Sequence, residues 1–235
     1  MIEKDIPGFP GLVLAFSGIE HGPMPKANGT SPKKLANRDG FVSSLGFDAG
    51  RICQAKLVHG DEVAFVSDPE KIIEADAVIT NSVGQPLVAA AADCPMIFLW
   101  AHSSEWAVSL IHSGWRGTLK NVGPKAVDFF SWRYVVKRDQ INALVGPGIR
   151  GCCFEVRNDE NGLRNFVHWP SFIAVRNRRY FVDLAGIITE QLHRAGIHNV
   201  LDCKECTHCS PKGYFSFRKH NNSFRNLAVA GFKES

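Results

Sequence analysis

The sequence lacks the features of several protein classes. Its longest basic cluster, Arg176-Asn177-Arg178-Arg179, is short, and 27 Lys and Arg against 23 Asp and Glu leave a net charge of only +4. Charge therefore gives little support for nucleic-acid binding. The most apolar stretch, residues 87–100, is interrupted by Asp93 and Pro95 and is too short to cross a bilayer. We therefore expect neither a nucleic-acid partner nor a membrane partner.

Secretion signals and a disulfide framework are also missing. The chain does not open with a basic segment followed by an apolar stretch, so the sequence predicts no signal peptide. Its 7 cysteines are odd in number and unevenly spaced, unlike the evenly bridged scaffolds of small secreted domains. These observations predict a reduced, cytoplasmic protein.

The chain has the length and the apolar content of one large domain. With 235 residues, of which 45% are hydrophobic, it can bury an ordinary core, and we treat residues 1–235 as a single domain. Short apolar runs predict strands at 77–80, 87–92, 96–100 and 141–145, and alternating apolar residues predict another at 105–112. Helical spacing predicts a helix after Gly117, with Pro124 at its start or at a kink, and another between an Asp183 cap and Gly196. Glycines and prolines at 18–34 predict a long mobile loop. The fold class is α/β with a mixed sheet.

Three residues stand in distinctive settings at the ends of these predicted strands. They are His59 in Val-His-Gly, Cys94 in Ala-Asp-Cys-Pro, and His112 in His-Ser-Gly-Trp-Arg-Gly. Two imidazoles and one thiolate form the ligand set of a catalytic zinc that keeps its fourth position open. The same residues also fit a cysteine hydrolase, with Cys94 as the nucleophile, His112 as its base and Asp93 nearby. The sequence leaves both chemistries open.

The remaining cysteines give a weaker signal. Cys203-x-x-Cys206-x-x-Cys209 is similar to an iron–sulfur or zinc knuckle, but the fourth cysteine of a ferredoxin-type run is missing downstream. Four ligands within seven consecutive residues would also be unusual for zinc. We therefore interpret these cysteines, and the adjacent pair Cys152 and Cys153, as structural.

Several motifs together resemble one known family. In addition to the three above, they are Val145-Gly-Pro-Gly-Ile149, Phe154-Glu155-Val156, Cys206-Thr207 and Phe215-Ser216-Phe217-Arg218, in that order within residues 50–220. The set resembles the multicopper-oxidase-like laccase-domain family, also called polyphenol-oxidase-like, now regarded as purine nucleoside phosphorylases. The resemblance implies a single α/β domain related to the deamidase toxins of the cytotoxic necrotizing factor type.

The resemblance also implies a site and its chemistry. One zinc per chain would be bound by His59, Cys94 and His112, and the substrates would be purine nucleosides and phosphate, with adenosine deamination as a further activity. Copper does not fit, because a laccase needs many more histidines. Asp93 and Glu155 are candidates for proton transfer, with Asp93 favoured. Arg116 is a candidate for phosphate activation and binding, and Ser216 and Arg218 are candidates for substrate binding.

The chain departs from the family pattern at three places. Leu57 replaces a usual glutamine, residues 17–22 lack the arginine of the N-terminal motif, and residues 223–225 read Ser-Phe-Arg where Gly-Arg is usual. Altered N-terminal and C-terminal motifs favour one alternative, a non-catalytic relative that acts through a partner. The relationship to the deamidase toxins keeps a second alternative open, a metal-free Cys94–His112 hydrolase of the amidase or deamidase type. The oligomeric state is not indicated by the sequence.

Overall fold

Apolar runs from the whole chain form the strands of two large sheets and one small sheet. The computed structural model describes residues 1–4, 6–67, 72–160 and 162–234. The strands are β1 (Ile2–Lys4), β2 (Leu12–Phe16), β3 (Cys53–Lys56), β4 (Val63–Phe65), β5 (Ile72–Glu74), β6 (Ala77–Thr80), β7 (Leu87–Ala91), β8 (Met96–His102), β9 (Trp106–His112), β10 (Asn142–Val145), β11 (Glu155–Val156), β12 (Ile173–Arg176), β13 (Arg179–Val182), β14 (Asn199–Asp202) and β15 (Asn226–Phe232). The helices are α1 (Pro32–Ser44), α2 (Trp115–Leu119), α3 (Val122–Tyr134), α4 (Leu184–Arg194) and α5 (Phe217–His220).

Both large sheets mix parallel and antiparallel pairs. The first sheet has the order β1-β2-β15-β7-β3-β5, in which β3 pairs in parallel with both β7 and β5. The second sheet has the order β14-β10-β8-β9-β6-β4, in which the three central pairs are antiparallel and the two outer pairs are parallel. A third sheet, β11-β13-β12, is antiparallel.

The core is layered because successive side chains of each central strand point to opposite faces. On β8, Phe98 packs against the first sheet, whereas Ile97 and Leu99 pack against α3 and α4. The other face of the first sheet packs against α1 through Phe41 and Val42. The order of layers is therefore helix, sheet, sheet, helices, and both large sheets are buried on both faces.

Most elements predicted from apolar patterns are confirmed, with shifts of one or two residues at their ends. The strands at 77–80, 87–92, 96–100, 105–112 and 141–145 correspond to β6, β7, β8, β9 and β10. The helix expected after Gly117 begins earlier, at Trp115, and is divided into α2 and α3. Pro124 lies in the first turn of α3, where a backbone N–H would have no partner within the helix. Asp183 caps α4 by accepting a hydrogen bond from the Gly186 N–H.

The predicted loop at 18–34 contains a single 3-10 turn, Ile19–His21, and the first residues of α1. Met24 in its middle is buried between the first sheet and α1. The mobility of this segment stays a prediction, as does the relationship to the deamidase toxins. No helix among the described residues is long and apolar enough to span a membrane.

Candidate active site

The candidate site lies where the chain passes from the first sheet to the second. His59 lies between β3 and β4, Asp76 between β5 and β6, and Cys94 between β7 and β8. Each of these short connections leaves a strand of the first sheet and enters a strand of the second. His112 is the last residue of β9 in the second sheet. Three crossovers and one strand end therefore bring these side chains together.

The three predicted metal ligands converge. One ligand atom from each of His59, Cys94 and His112 lies within 4.8 Å of the other two. The imidazole rings are nearly perpendicular, with their centroids 5.0 Å apart. Gly114 packs against the thiol, because a Cβ at this position would lie only 2.9 Å from Cys94 Sγ. The arrangement can hold one metal ion with two nitrogens and one sulfur.

Asp76 organises both histidines. Its carboxylate is fully buried and accepts a hydrogen bond of 2.8 Å from His112 Nδ1. It also accepts hydrogen bonds from the backbone N–H groups of His59, at 3.1 Å, and Gly60, at 2.6 Å. Burial alone would raise the pKa of Asp76, but the hydrogen bond from His112 and those from the backbone hold it below its ordinary value. The bond at Nδ1 leaves Nε2 of His112 free to bind a metal.

Cys94 and His112 shift each other toward an ion pair. Burial would raise the pKa of the Cys94 thiol, but the charge and hydrogen bond of His112, with help from His59, lower it to about 6. Burial would lower the pKa of His112, but the Cys94 thiolate and Asp76 raise it. Without a metal, the two shifts therefore favour a thiolate beside an imidazolium. A thiolate is the form that binds metals and attacks electrophiles.

A cavity of about 550 Å³ opens over the three ligands. Its volume is in the range of small-molecule sites. Apolar side chains form much of its wall, among them Leu57, Trp115, Ile149, Phe154 and Phe217. These flat and branched side chains suit an aromatic base and the less polar face of a sugar.

Three arginines also line this cavity. Arg116 stacks on Trp115, with its guanidinium carbon 4.3 Å from the ring centroid, and is exposed. Arg218 donates a hydrogen bond of 2.8 Å to the backbone carbonyl of Glu155. Arg225 is partly buried; burial lowers its pKa, and the charges of Cys94 and Asp93 oppose that change. The three guanidinium groups give the cavity a positive wall suited to an anion.

Asp93 lies in the cavity wall, but its carboxylate is already engaged. One oxygen accepts a hydrogen bond of 2.7 Å from the Thr207 hydroxyl, and the other accepts one of 2.8 Å from the Arg218 N–H. Its φ of 79° places it in the left-handed region, which aspartate tolerates better than most residues. These contacts favour a positioning role for Asp93 and leave its predicted role in proton transfer without direct support.

Two other predicted residues lie away from the cavity. The structure does not bring Ser216 to the cavity wall, because its buried hydroxyl caps α5 by accepting a hydrogen bond from the Lys219 N–H. Glu155 lies on β11 and forms an ion pair of 3.3 Å with Arg179. Ser216 therefore supports Arg218 indirectly, because it caps the N-terminus of α5, the helix that carries Arg218.

Two residues of the site were missed by the sequence analysis. Asp76 gave one usable signal, a single carboxylate directly before an apolar strand, but this is also the pattern of an ordinary turn. Arg225 lies in a segment that departs from the family motif, and the motif assigns it no role. The sequence does not indicate that Asp76 contacts a histidine or that Arg225 lines the cavity, because both contacts involve segments that are distant along the chain.

A family model described as "Multi-copper polyphenol oxidoreductase laccase" matches residues 27–233. The chain belongs to this family. It is 35% identical over 173 residues to a purine nucleoside phosphorylase of Aquifex aeolicus, a match that covers 72% of this chain and 77% of that protein. It is 29% identical over 193 residues to "Purine nucleoside phosphorylase LACC1" of Mus musculus, covering 78% of this chain. This second match spans only 44% of the mouse protein.

A solved structure has the same fold. The crystal structure of YlmD from Geobacillus stearothermophilus superposes with a TM-score of 0.83 at 25% identity, covering 97% of this chain and 94% of that one. The α/β fold and the family inferred from the motifs are thereby confirmed.

Proposed function

We propose that this protein is a zinc-dependent purine nucleoside phosphorylase, with adenosine deamination as a second activity of the same site. Relatives named purine nucleoside phosphorylase support the reaction class. The observation that carries the proposal is that one cavity contains both the His59–Cys94–His112 trio and three arginines. The first set suits a metal ion, and the second suits inorganic phosphate.

Zinc fits the donor set of His59, Cys94 and His112. Two imidazole nitrogens, a buried thiolate and a carboxylate hydrogen-bonded to the non-ligating nitrogen are typical of catalytic zinc with an open position. When bound, zinc would act as a Lewis acid and lower the pKa of a coordinated water. These residues give less support to a copper site, although the family description mentions copper. No group among the described residues gathers the many histidines of a laccase.

The arginines would bind the phosphate that attacks the nucleoside. In phosphorolysis, a phosphate oxygen forms a bond to ribose C1′ while the bond from C1′ to the purine nitrogen breaks. The purine leaves with the electron pair and takes up a proton. Arg116, Arg218 and Arg225 would hold the phosphate and offset its charge, while the apolar wall orients the base. Asp93 would fix Arg218 through the hydrogen bond to its backbone.

Deamination would use the same cavity without phosphate. Adenosine and water would give inosine and ammonia, and the purine C6 would have to face the ligand trio. The two reactions therefore require different orientations of the base. A reducing compartment such as the cytoplasm suits this site, because Cys94 must stay out of a disulfide, as it does in the structure.

The test is turnover by the purified protein of adenosine, inosine, guanosine and methylthioadenosine, with and without phosphate, followed by chromatography. We expect phosphate-dependent release of free base and phosphate-independent formation of inosine from adenosine. His112→Ala should abolish zinc binding and both activities. Full activity of metal-free His112→Ala protein would contradict the zinc mechanism. Zinc binding without any turnover would favour a non-catalytic relative that acts through a partner.

A metal-free hydrolase is the second candidate, because one observation favours it. Cys94, His112 and Asp76 form a chain of hydrogen bonds in the order nucleophile, base and orienting carboxylate. Asp76, and not the expected Asp93, completes it. In this case iodoacetamide would abolish activity and chelators would leave it unchanged. Loss of activity on chelation, with recovery on adding zinc, would exclude this candidate.

A further inference from the structure

Four cysteines from two distant segments meet on the side of the protein behind Asp93. They are Cys152 and Cys153, which follow β10, and Cys206 and Cys209, which follow β14. Their Sγ atoms all lie within 4.8 Å of one another, and those of Cys152 and Cys209 are 3.7 Å apart. All four are free thiols. The sequence had favoured purely structural roles for these residues.

The spacing of the sulfurs fits one tetrahedral ion. With zinc–sulfur bonds of about 2.3 Å, two thiolates of a tetrahedron lie about 3.8 Å apart, close to the distance seen between Cys152 and Cys209. A disulfide would bring two of the sulfurs to about 2.0 Å. An iron–sulfur cluster distributes its four cysteines over at least two iron atoms, so the sulfurs on different irons lie farther apart than those of this group. The arrangement is therefore the size of a site for a single metal ion.

The local backbone also suits a metal-binding turn. Cys206 and Cys209 have the C-x-x-C spacing of zinc-binding turns, and the Ser210 N–H donates to the Cys206 carbonyl at 2.9 Å. On the other segment, Arg176 donates a hydrogen bond to the Cys152 carbonyl. This cation lies beside a site that would carry net negative charge.

We propose that Cys152, Cys153, Cys206 and Cys209 form a second, structural metal site that binds one zinc ion through four thiolates. A site with four protein ligands leaves no position open for substrate, so this ion would stabilise the fold and take no part in catalysis. The proposal is independent of the zinc at His59, Cys94 and His112.

The second ion would hold two segments that support the active site. Gly148 pairs with Cys206 in a parallel bridge, and the Thr207 N–H donates to the Gly148 carbonyl at 3.0 Å. The Thr207 hydroxyl in turn donates a hydrogen bond to the carboxylate of Asp93, the residue directly before Cys94. Joining 152–153 to 206–209 would therefore fix the position of Thr207 and, through it, of Asp93. The effect on the reaction would be through positioning only.

Cys203 provides a matched control. It belongs to the same C-x-x-C-x-x-C run, but it is not a member of the four-cysteine group and lies 3.5 Å from Arg150 Nη2. The sequence pattern groups Cys203 with Cys206 and Cys209, whereas the structure groups those two with Cys152 and Cys153. Cys203→Ser and Cys209→Ser therefore separate the two interpretations.

The experiment is elemental analysis of protein purified without added metal, as wild type, Cys203→Ser, Cys209→Ser, Cys152→Ser and Cys94→Ala. If both sites are filled, we expect about two zinc ions in the wild type. Cys209→Ser and Cys152→Ser should each contain one ion fewer, while Cys203→Ser matches the wild type. Cys94→Ala should lose only the active-site ion. In cobalt-substituted Cys94→Ala protein, the absorption of a tetrahedral thiolate complex should disappear when Cys209→Ser is added.

Several results would overturn the proposal. These are equal metal content in the wild type, Cys209→Ser and Cys152→Ser, or a wild-type mass lower by two hydrogens for each disulfide among the four cysteines. Iron in place of zinc, with the same dependence on Cys209 and Cys152, would support the site and change only its occupant. If Cys94→Ala keeps the full metal content while Cys209→Ser loses an ion, the active-site proposal fails and this one stands.

Discussion

Asp76→Asn tests whether one buried carboxylate organises the metal ligands. The substitution keeps the shape of the side chain but replaces one oxygen with an N–H donor. In one orientation the NH₂ group of the new side chain replaces the oxygen that accepts from Gly60, and it then faces the Gly60 N–H at a distance of 2.6 Å. In the other it faces both His112 Nδ1 and the His59 N–H, at 2.8 and 3.1 Å. Either way a donor meets a donor in a fully buried position.

The size of the effect follows from these contacts. An unsatisfied buried polar group costs about 1–3 kcal/mol, and more when the lost partner was charged. Loss of a group that orients a ligating histidine usually weakens metal binding by about 10- to 100-fold. We expect Asp76→Asn to lower zinc affinity within this range and to lower kcat/KM in parallel. The less costly orientation keeps the bond to His112, so the protein should still fold.

Zinc affinity is measured by competition with a coloured chelator, and urea unfolding of the metal-free protein checks the fold. Asp61→Asn is the matched control, because it removes the same charge close to the site. Asp61 forms an ion pair with Lys125, whereas the carboxylate that is hydrogen-bonded to the two histidines in the described structure is that of Asp76. We expect the control to bind zinc as the wild type does. Wild-type affinity in a correctly folded Asp76→Asn protein would refute the proposed role of Asp76.

Three further predictions address the phosphate site, the protons of the metal site and the packing behind it. Arg225→Gln should raise the KM for phosphate by about 10-fold or more while the KM for the nucleoside changes little, as initial rates at varied phosphate would show. At pH 7, zinc binding should release about one proton. The lowered pKa of Cys94 favours a thiolate before zinc binds, whereas the raised pKa of His112 means that this residue must lose a proton. Titration calorimetry in buffers of different ionisation enthalpy measures the number of protons released. The same shifts predict that affinity falls as the pH decreases, since protons then compete for both ligands. Gly148→Ala should destabilise the protein by about 1–3 kcal/mol, because the new Cβ would lie 2.7–2.9 Å from atoms of Pro95. Gly40→Ala is the control: the space around Gly40 in α1 is open, so this change should stabilise the protein by about 0.5–1 kcal/mol. Urea unfolding measures both free-energy changes.

The strands were predictable because burial on both faces imposes an almost continuous apolar run. This pattern indicates β6, β7, β8 and β10, whereas alternating apolar residues indicate β9. The positions of Cys94 and His112 beside these strands follow from the two patterns together. The sequence could not reveal which connections meet in space. The grouping of Cys152 and Cys153 with Cys206 and Cys209 depends on β10 and β14 pairing in parallel, which neither strand indicates alone. Ser216 shows a second limit: the motif predicts that this residue binds substrate, whereas in the structure it caps α5.

The origin of the ligands in both sheets has a consequence for how the core and the metal influence each other. His59 and Cys94 follow strands of the first sheet, and His112 ends a strand of the second. An ion bound to all three requires the two sheets to keep their spacing, and by thermodynamic reciprocity the spacing of the sheets must then influence the affinity for the ion. A cavity created between the sheets, for example at Phe98, should weaken metal binding although no ligand is touched. The affinity for the proposed ion should therefore depend on how the two large sheets pack against each other.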